Sequence, residues 1–111
     1  MKVLVCGGRD YQDYRTVFQT LSCLEGVTLI IHGGALGADT WGERWAYDYE
    51  VPCLRFPARW KAHGKAAGPI RNQQMLDDGK PDLVVAFPGG AGTADMIRRA
   101  EKAGVPVRKI R

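Results

Sequence analysis

Three cysteines in 111 residues, at positions 6, 23 and 53, are too few and too scattered for a disulfide framework. Their number is odd, and neither a close-spaced pair nor the two histidines complete a structural zinc pattern. Each reads as a small buried hydrophobe; Cys6 also ends an apolar run beside a glycine turn, where a thiolate would be favoured. No apolar stretch reaches membrane-spanning length, and the N-terminus lacks the basic, apolar, small-residue order of a secretory signal, so the expected location is the cytoplasm. Repeats, low-complexity segments and interdomain linkers are missing too, and the expectation is one domain over residues 1–111. Neither G-x-G-x-x-G after the first apolar run nor a Walker lysine pattern occurs, which removes support for classical hydride transfer and P-loop hydrolysis. Nothing calls for a metal or an organic cofactor.

What is present is an ordinary globular composition, 45% hydrophobic and 25% charged, with a formal charge of +4. The excess of cations would attract nucleic acid or a phosphorylated small molecule. Only Arg55 to Lys65 and Arg98 to Arg111 are enriched in basic residues, and neither is the dense run of a nucleic-acid arm.

Apolar runs at Lys2–Cys6, Val27–Ile31, Val51–Phe56, Leu83–Phe87 and Val105–Ile110 read as strands, the last as an edge. Helical spacing separates them. Tyr14, Val17, Phe18 and Leu21 share a stripe behind the N-cap candidate Asp13, and Trp41, Trp45 and Tyr49 form a second. Pro69 suits the first position of a third helix that Gly79 ends, and Thr93, Met96, Ile97 and Ala100 mark a fourth that Gly104 stops. The order βαβαβαβαβ predicts a Rossmann-like three-layer α/β/α fold with a mostly parallel five-stranded sheet. The stretch Pro57 to Gly68 reads as one long irregular loop.

Three apolar runs lead straight into glycine turns: Gly7-Gly8-Arg9-Asp10, Gly33-Gly34-Ala35-Leu36-Gly37-Ala38-Asp39 and Pro88-Gly89-Gly90-Ala91-Gly92-Thr93. In a parallel sheet these strand ends share one edge, where open α/β folds bind ligands. A glycine turn opening a helix offers unpaired amides and a partial positive charge to phosphate, and Thr93 adds a hydroxyl. The three turns are therefore expected to converge on an anion site, although glycine also serves tight strand-to-helix turns with no ligand.

These residues carry a resemblance. Pro88 to Thr93 resembles the P-G-G-x-G-T motif of the Lonely Guy phosphoribohydrolases, and Gly33 to Asp39 is similar to the glycine motif of the DNA-processing Smf proteins. With Gly7-Gly8-Arg9-Asp10, Gly68-Pro69-Ile70-Arg71-Asn72 and Met75 in order, the chain resembles the small YspA-related branch of the SLOG superfamily end to end. The resemblance implies a nucleotide or nucleotide-derived ligand and, in its enzymatic form, N-glycosidic hydrolysis that releases a base. Arg71 matches the arginine of the Lonely Guy catalytic pair, while the glutamate position holds Met96, which cannot stabilise an oxocarbenium ion. The carboxylate would then be Asp95 or Asp39.

Other polar residues read two ways. Arg9 and Asp10 suit a phosphate and a ribose hydroxyl, or a local ion pair. His32 suits proton transfer or a hydrogen-bonded half-buried site, and Asp39 a ligand contact or a helix cap. Arg71, read as lying near a helix N-terminus where the dipole disfavours a cation, points to a phosphate partner, with Asn72 beside it. Trp60, among Arg59, Lys61, His63 and Lys65, suits base stacking or anchoring on the core. Besides the enzyme, a non-catalytic nucleotide sensor and a single-stranded nucleic-acid binder stay open. The aromatics Trp41, Trp45 and Tyr49 suit a homo-oligomer or the chain's own core.

Overall fold

The computed structural model describes residues 1–111. Strands β1 (Lys2–Cys6), β2 (Leu29–His32), β3 (Cys53–Arg55), β4 (Leu83–Ala86) and β5 (Val107–Lys109) form one all-parallel sheet in the order β3-β2-β1-β4-β5. Helices α1 (Tyr14–Ser22), α2 (Ala38–Asp48), α3 (Trp60–His63), α4 (Ala67–Gln74) and α5 (Ala91–Lys102) fill the crossovers.

The alternation of side chains along β1 sorts the core into two layers. Val3 and Val5 face α1 and α2 and pack with Val17, Leu21, Trp45 and Ala46. Leu4 and Cys6 face the other way, with Met75, Leu76, Met96 and Ala100. Helices on both faces make this the expected three-layer α/β/α fold, and burial on both sides explains why the central strands are apolar almost throughout. No helix is long and apolar enough to cross a membrane.

Local chemistry sets the ends. Asp13 caps α1, its carboxylate accepting from the Thr16 amide at 3.2 Å and the Thr16 hydroxyl at 2.6 Å. On α2, Trp45 is buried and donates to the Ser22 hydroxyl at 3.0 Å, Trp41 donates to the Tyr11 carbonyl at 3.2 Å, and Tyr49 stays exposed.

Three expectations need correction. The stretch from Pro57 to Gly68 is not irregular: it holds α3, a 3-10 turn over Gly64–Ala66 and the start of α4. α3 is four residues long with none buried, so it has no apolar stripe to betray it. Pro69 is the third residue of α4, still within the turn whose amides need no helical partner, and the helix runs on into a π turn over Met75–Gly79. β2, β3 and β5 are also shorter than their apolar runs, because pairing rather than hydrophobicity sets their ends.

Candidate ligand site

The carboxyl ends of β1, β2 and β4 lie side by side where the strand order turns back, β2 on one side of β1 and β4 on the other. The loops that follow them, with α3 and α4, enclose a cavity of about 1010 Å³. It is lined by residues 7–10 after β1, 33–35 after β2 and 88–93 after β4, and by Asp39, Trp60, Arg71, Asn72 and Asp95. Gly37 is outside the lining: at φ +78° it makes the turn into α2, and a Cβ there would strike the Gly8 carbonyl oxygen.

The three glycine turns differ in what they offer. The amides of Gly33 and Ala35 donate to Asp39 Oδ2 at 2.9 and 3.3 Å, and that of Gly34 donates to His32 Nδ1 at 3.0 Å. The first three amides of the turn after β2 are therefore taken, and a carboxylate occupies the place where an anion would sit on them. After β1, the Gly8 amide donates to the Pro88 carbonyl at 2.8 Å, which ties this turn to the one after β4. The third turn keeps the longest run of free donors: the consecutive amides of Gly89, Gly90, Ala91, Gly92 and Thr93 have no acceptor within the protein. Gly89 has no room for a side chain against Thr93 and the Gly8 amide, whereas nothing lies within 4 Å of where a Cβ of Gly90 or Gly92 would stand. The positive end of the α5 dipole adds to those five donors.

Arg71 is the fifth residue of a helix that continues to Gly79, so the expected position near a helix N-terminus is wrong and the dipole says nothing about it. Its guanidinium is held by the protein: Nη1 donates to the Gly33 carbonyl at 2.8 Å and the Phe56 carbonyl at 3.5 Å, and Nε to Asn72 Oδ1 at 3.0 Å. Asn72 in turn donates to the Gly92 carbonyl at 3.2 Å and to Asp95 Oδ2 at 3.0 Å, bracing the first turn of α5. Asp95 also accepts from Arg99 Nε at 2.8 Å and Arg98 Nη2 at 3.1 Å. Burial works against its charge, but the hydrogen bonds from Arg99 and Asn72 and the two arginine charges outweigh it and hold the carboxyl below its ordinary range.

Asp39 is the opposite case. Burial pushes it up to about 6, against the amide hydrogen bonds and the charges of Arg71 and Arg55. Burial likewise lifts the Cys6 thiol to about 12, so Cys6 packs as core and is no thiolate. His32 lies beneath the loop: Nδ1 accepts from Gly34, so Nε2 carries the proton and faces Glu43 Oε1 at 3.1 Å. Burial lowers its proton affinity, with Glu43 pulling the other way. Met96 is fully buried in the core. Trp60 is 54% exposed on the cavity wall, and Arg9 and Asp10 are exposed without pairing to each other. No group of three His, Cys, Asp or Glu side chains is placed to hold a metal ion.

Glu43 and Arg99 escaped the sequence reading. Arg99 stands four residues after Asp95, a spacing that signals a helical ion pair, whereas the Glu43 contact with His32 depends on how α2 packs on β2.

The model of the YspA, cpYpsA-related SLOG family matches residues 1–63. A curated relative, the Gene 61 protein of Mycobacterium phage D29, is 38% identical over 118 aligned residues that span 96% of this chain and 93% of that protein. Among solved structures, UDP-GlcNAc 2-epimerase from Neisseria meningitidis, crystallised with UDP-GlcNAc, superposes on 99% of the chain with a TM-score of 0.57 at 20% identity. The chain spans about a third of that enzyme, 32% of its length, and the likeness is one of fold. With the family model matched over more than half of its length and a relative aligned nearly end to end, the chain belongs to the YspA, cpYpsA-related SLOG family.

Proposed function

We propose that this protein binds a nucleotide or nucleotide-derived ligand, with phosphate on the amides that open α5 and the base against Trp60. The observation that carries this reading is the run of five acceptor-free amides, Gly89 to Thr93, facing a cavity of nucleotide size. Lys65 and Arg9 on the same wall supply positive charge, and the exposed ring of Trp60 offers an apolar face. The neisserial epimerase, which shares the fold, holds a nucleotide sugar.

The carboxylates argue for binding without appreciable base release. Met96, where it borders the cavity, is fully buried and packed as core, and Asp95 is committed to Asn72, Arg98 and Arg99. Of Asp95 and Asp39, Asp39 is the one with an oxygen to spare.

Calorimetric titration with a panel of nucleoside 5′-monophosphates and the matching nucleosides tests the reading. Monophosphates should bind and nucleosides bind at least roughly tenfold more weakly, the loss of a charge-assisted set of hydrogen bonds. A Cβ at Gly90 meets no protein atom within 4 Å, so Gly90→Val should keep its fold by circular dichroism while losing monophosphate affinity. Unchanged affinity in the folded variant would remove the α5 turn from the site.

A further inference from the structure

We infer that Asp39 recognises the sugar of the ligand, accepting a hydrogen bond from a hydroxyl of a ribose-type vicinal diol; the inference rests on phosphate binding at the α5 turn. Asp39 Oδ2 is used by the Gly33 and Ala35 amides, while Oδ1 has no donor in the protein. No side-chain oxygen or nitrogen sealed from solvent lacks a partner, so Oδ1 reaches the cavity that Asp39 lines, although the residue as a whole is only 5% exposed. Arg71 is arranged in the same way. Its Nε and Nη1 are paired and its Nη2 is not.

One residue holds both groups in place. The Gly33 amide binds the Asp39 carboxylate, and the Gly33 carbonyl binds Arg71 Nη1. Gly33 has no room for a Cβ, because the guanidinium lies directly against it. The result is a fixed acceptor near a fixed donor in the wall of the cavity.

Phosphate oxygens only accept hydrogen bonds and are repelled by a carboxylate, so the free Asp39 oxygen cannot serve one. A hydroxyl donates and accepts, and two adjacent hydroxyls satisfy Oδ1 and Nη2 together. With phosphate on α5 and the flat base at Trp60, the sugar is the part of a nucleotide left for Asp39. Asp10, the acid that follows β1 along the chain, stays exposed and is not held in position by any hydrogen bond of its side chain.

The test compares a nucleoside 5′-monophosphate that binds with its 2′-deoxy, 3′-deoxy and 2′,3′-dideoxy forms, titrated into the parent protein and Asp39→Asn. Asparagine keeps an oxygen for the Gly33 and Ala35 amides and puts a donor where Oδ1 was. The parent should bind the dideoxy form at least about tenfold more weakly than the ribonucleotide, as expected when a hydrogen bond to a charged group is lost. Asp39→Asn should narrow that gap to about threefold or less, the contact through Arg71 Nη2 being what remains. Equal affinity of the parent for all four forms overturns the inference, as does full discrimination in Asp39→Asn. Either result leaves the phosphate site standing if Gly90→Val still abolishes binding. Failure of every nucleotide to bind the parent removes both.

Discussion

Replacing Asp39 with asparagine should make the unliganded protein more stable at pH 8, by a margin that shrinks as the pH falls. In the folded chain the carboxyl titrates at about 6, against 3.8 for an unperturbed aspartate, with burial as the chief cause. Between those values the native state holds a proton that the unfolded chain has released. The contribution of Asp39 to stability therefore falls as pH rises from about 4 to 6, and stays low above that. The gap corresponds to about 3 kcal/mol as a ceiling. An asparagine carbonyl binds the Gly33 and Ala35 amides less strongly than a carboxylate, so part of the gain is returned. For a domain of this size a net gain of roughly 1–2 kcal/mol raises Tm by about 5–10 °C. Thermal melts of parent and variant by circular dichroism, taken from pH 4 to pH 8, measure it directly. A difference in Tm that stays flat across this range, or an Asp39→Asn protein less stable than its parent at pH 8, would refute the reasoning. A buried carboxylate that lowers the stability of the free protein is the kind of residue a ligand site retains.

Two further substitutions separate packing from chemistry. Met96→Glu places a carboxylate among Leu4, Ile31 and Met75 with no partner, so it should cost roughly 3–5 kcal/mol and be seen as a sharp fall in Tm. A fully stable Met96→Glu protein that releases base from a monophosphate would show instead that the new carboxylate turns out of the core toward the ligand. Asp95→Asn removes the charged half of the pair with Arg99 and should cost about 1–3 kcal/mol in urea melts at pH 7; the Arg98 arm is exposed and adds little. Because the folded-state value of Asp95 lies below its ordinary one, that cost should fade as the pH falls through the folded-state value, and an equal cost at pH 7 and pH 2 would argue against an ionic role.

Strand, turn and helix were legible along the chain because their signals are local. The two-residue alternation in Val3, Leu4, Val5 and Cys6 sorts side chains to two layers, and stripes such as Val17 with Leu21 mark the helices that cover them. The placement of three glycine turns on one sheet edge follows from the βα order itself. The helix α3 stayed hidden because four exposed residues carry no periodic burial. Nothing local distinguishes the turn after β2 from the turn after β4, since both are glycine-rich strand ends. In the first, the Gly33 and Ala35 amides are taken because Asp39 folds back onto positions four and six residues earlier, while Arg71 arrives from 38 residues away to take the Gly33 carbonyl. The second keeps its five amides because no segment comes close enough to accept from them. Sequence alone thus determined where backbone donors are presented, a matter of short-range periodicity and turn chemistry. Only the tertiary structure decided which of them are already paired, because pairing depends on every chain segment that the fold brings within 3 Å or so.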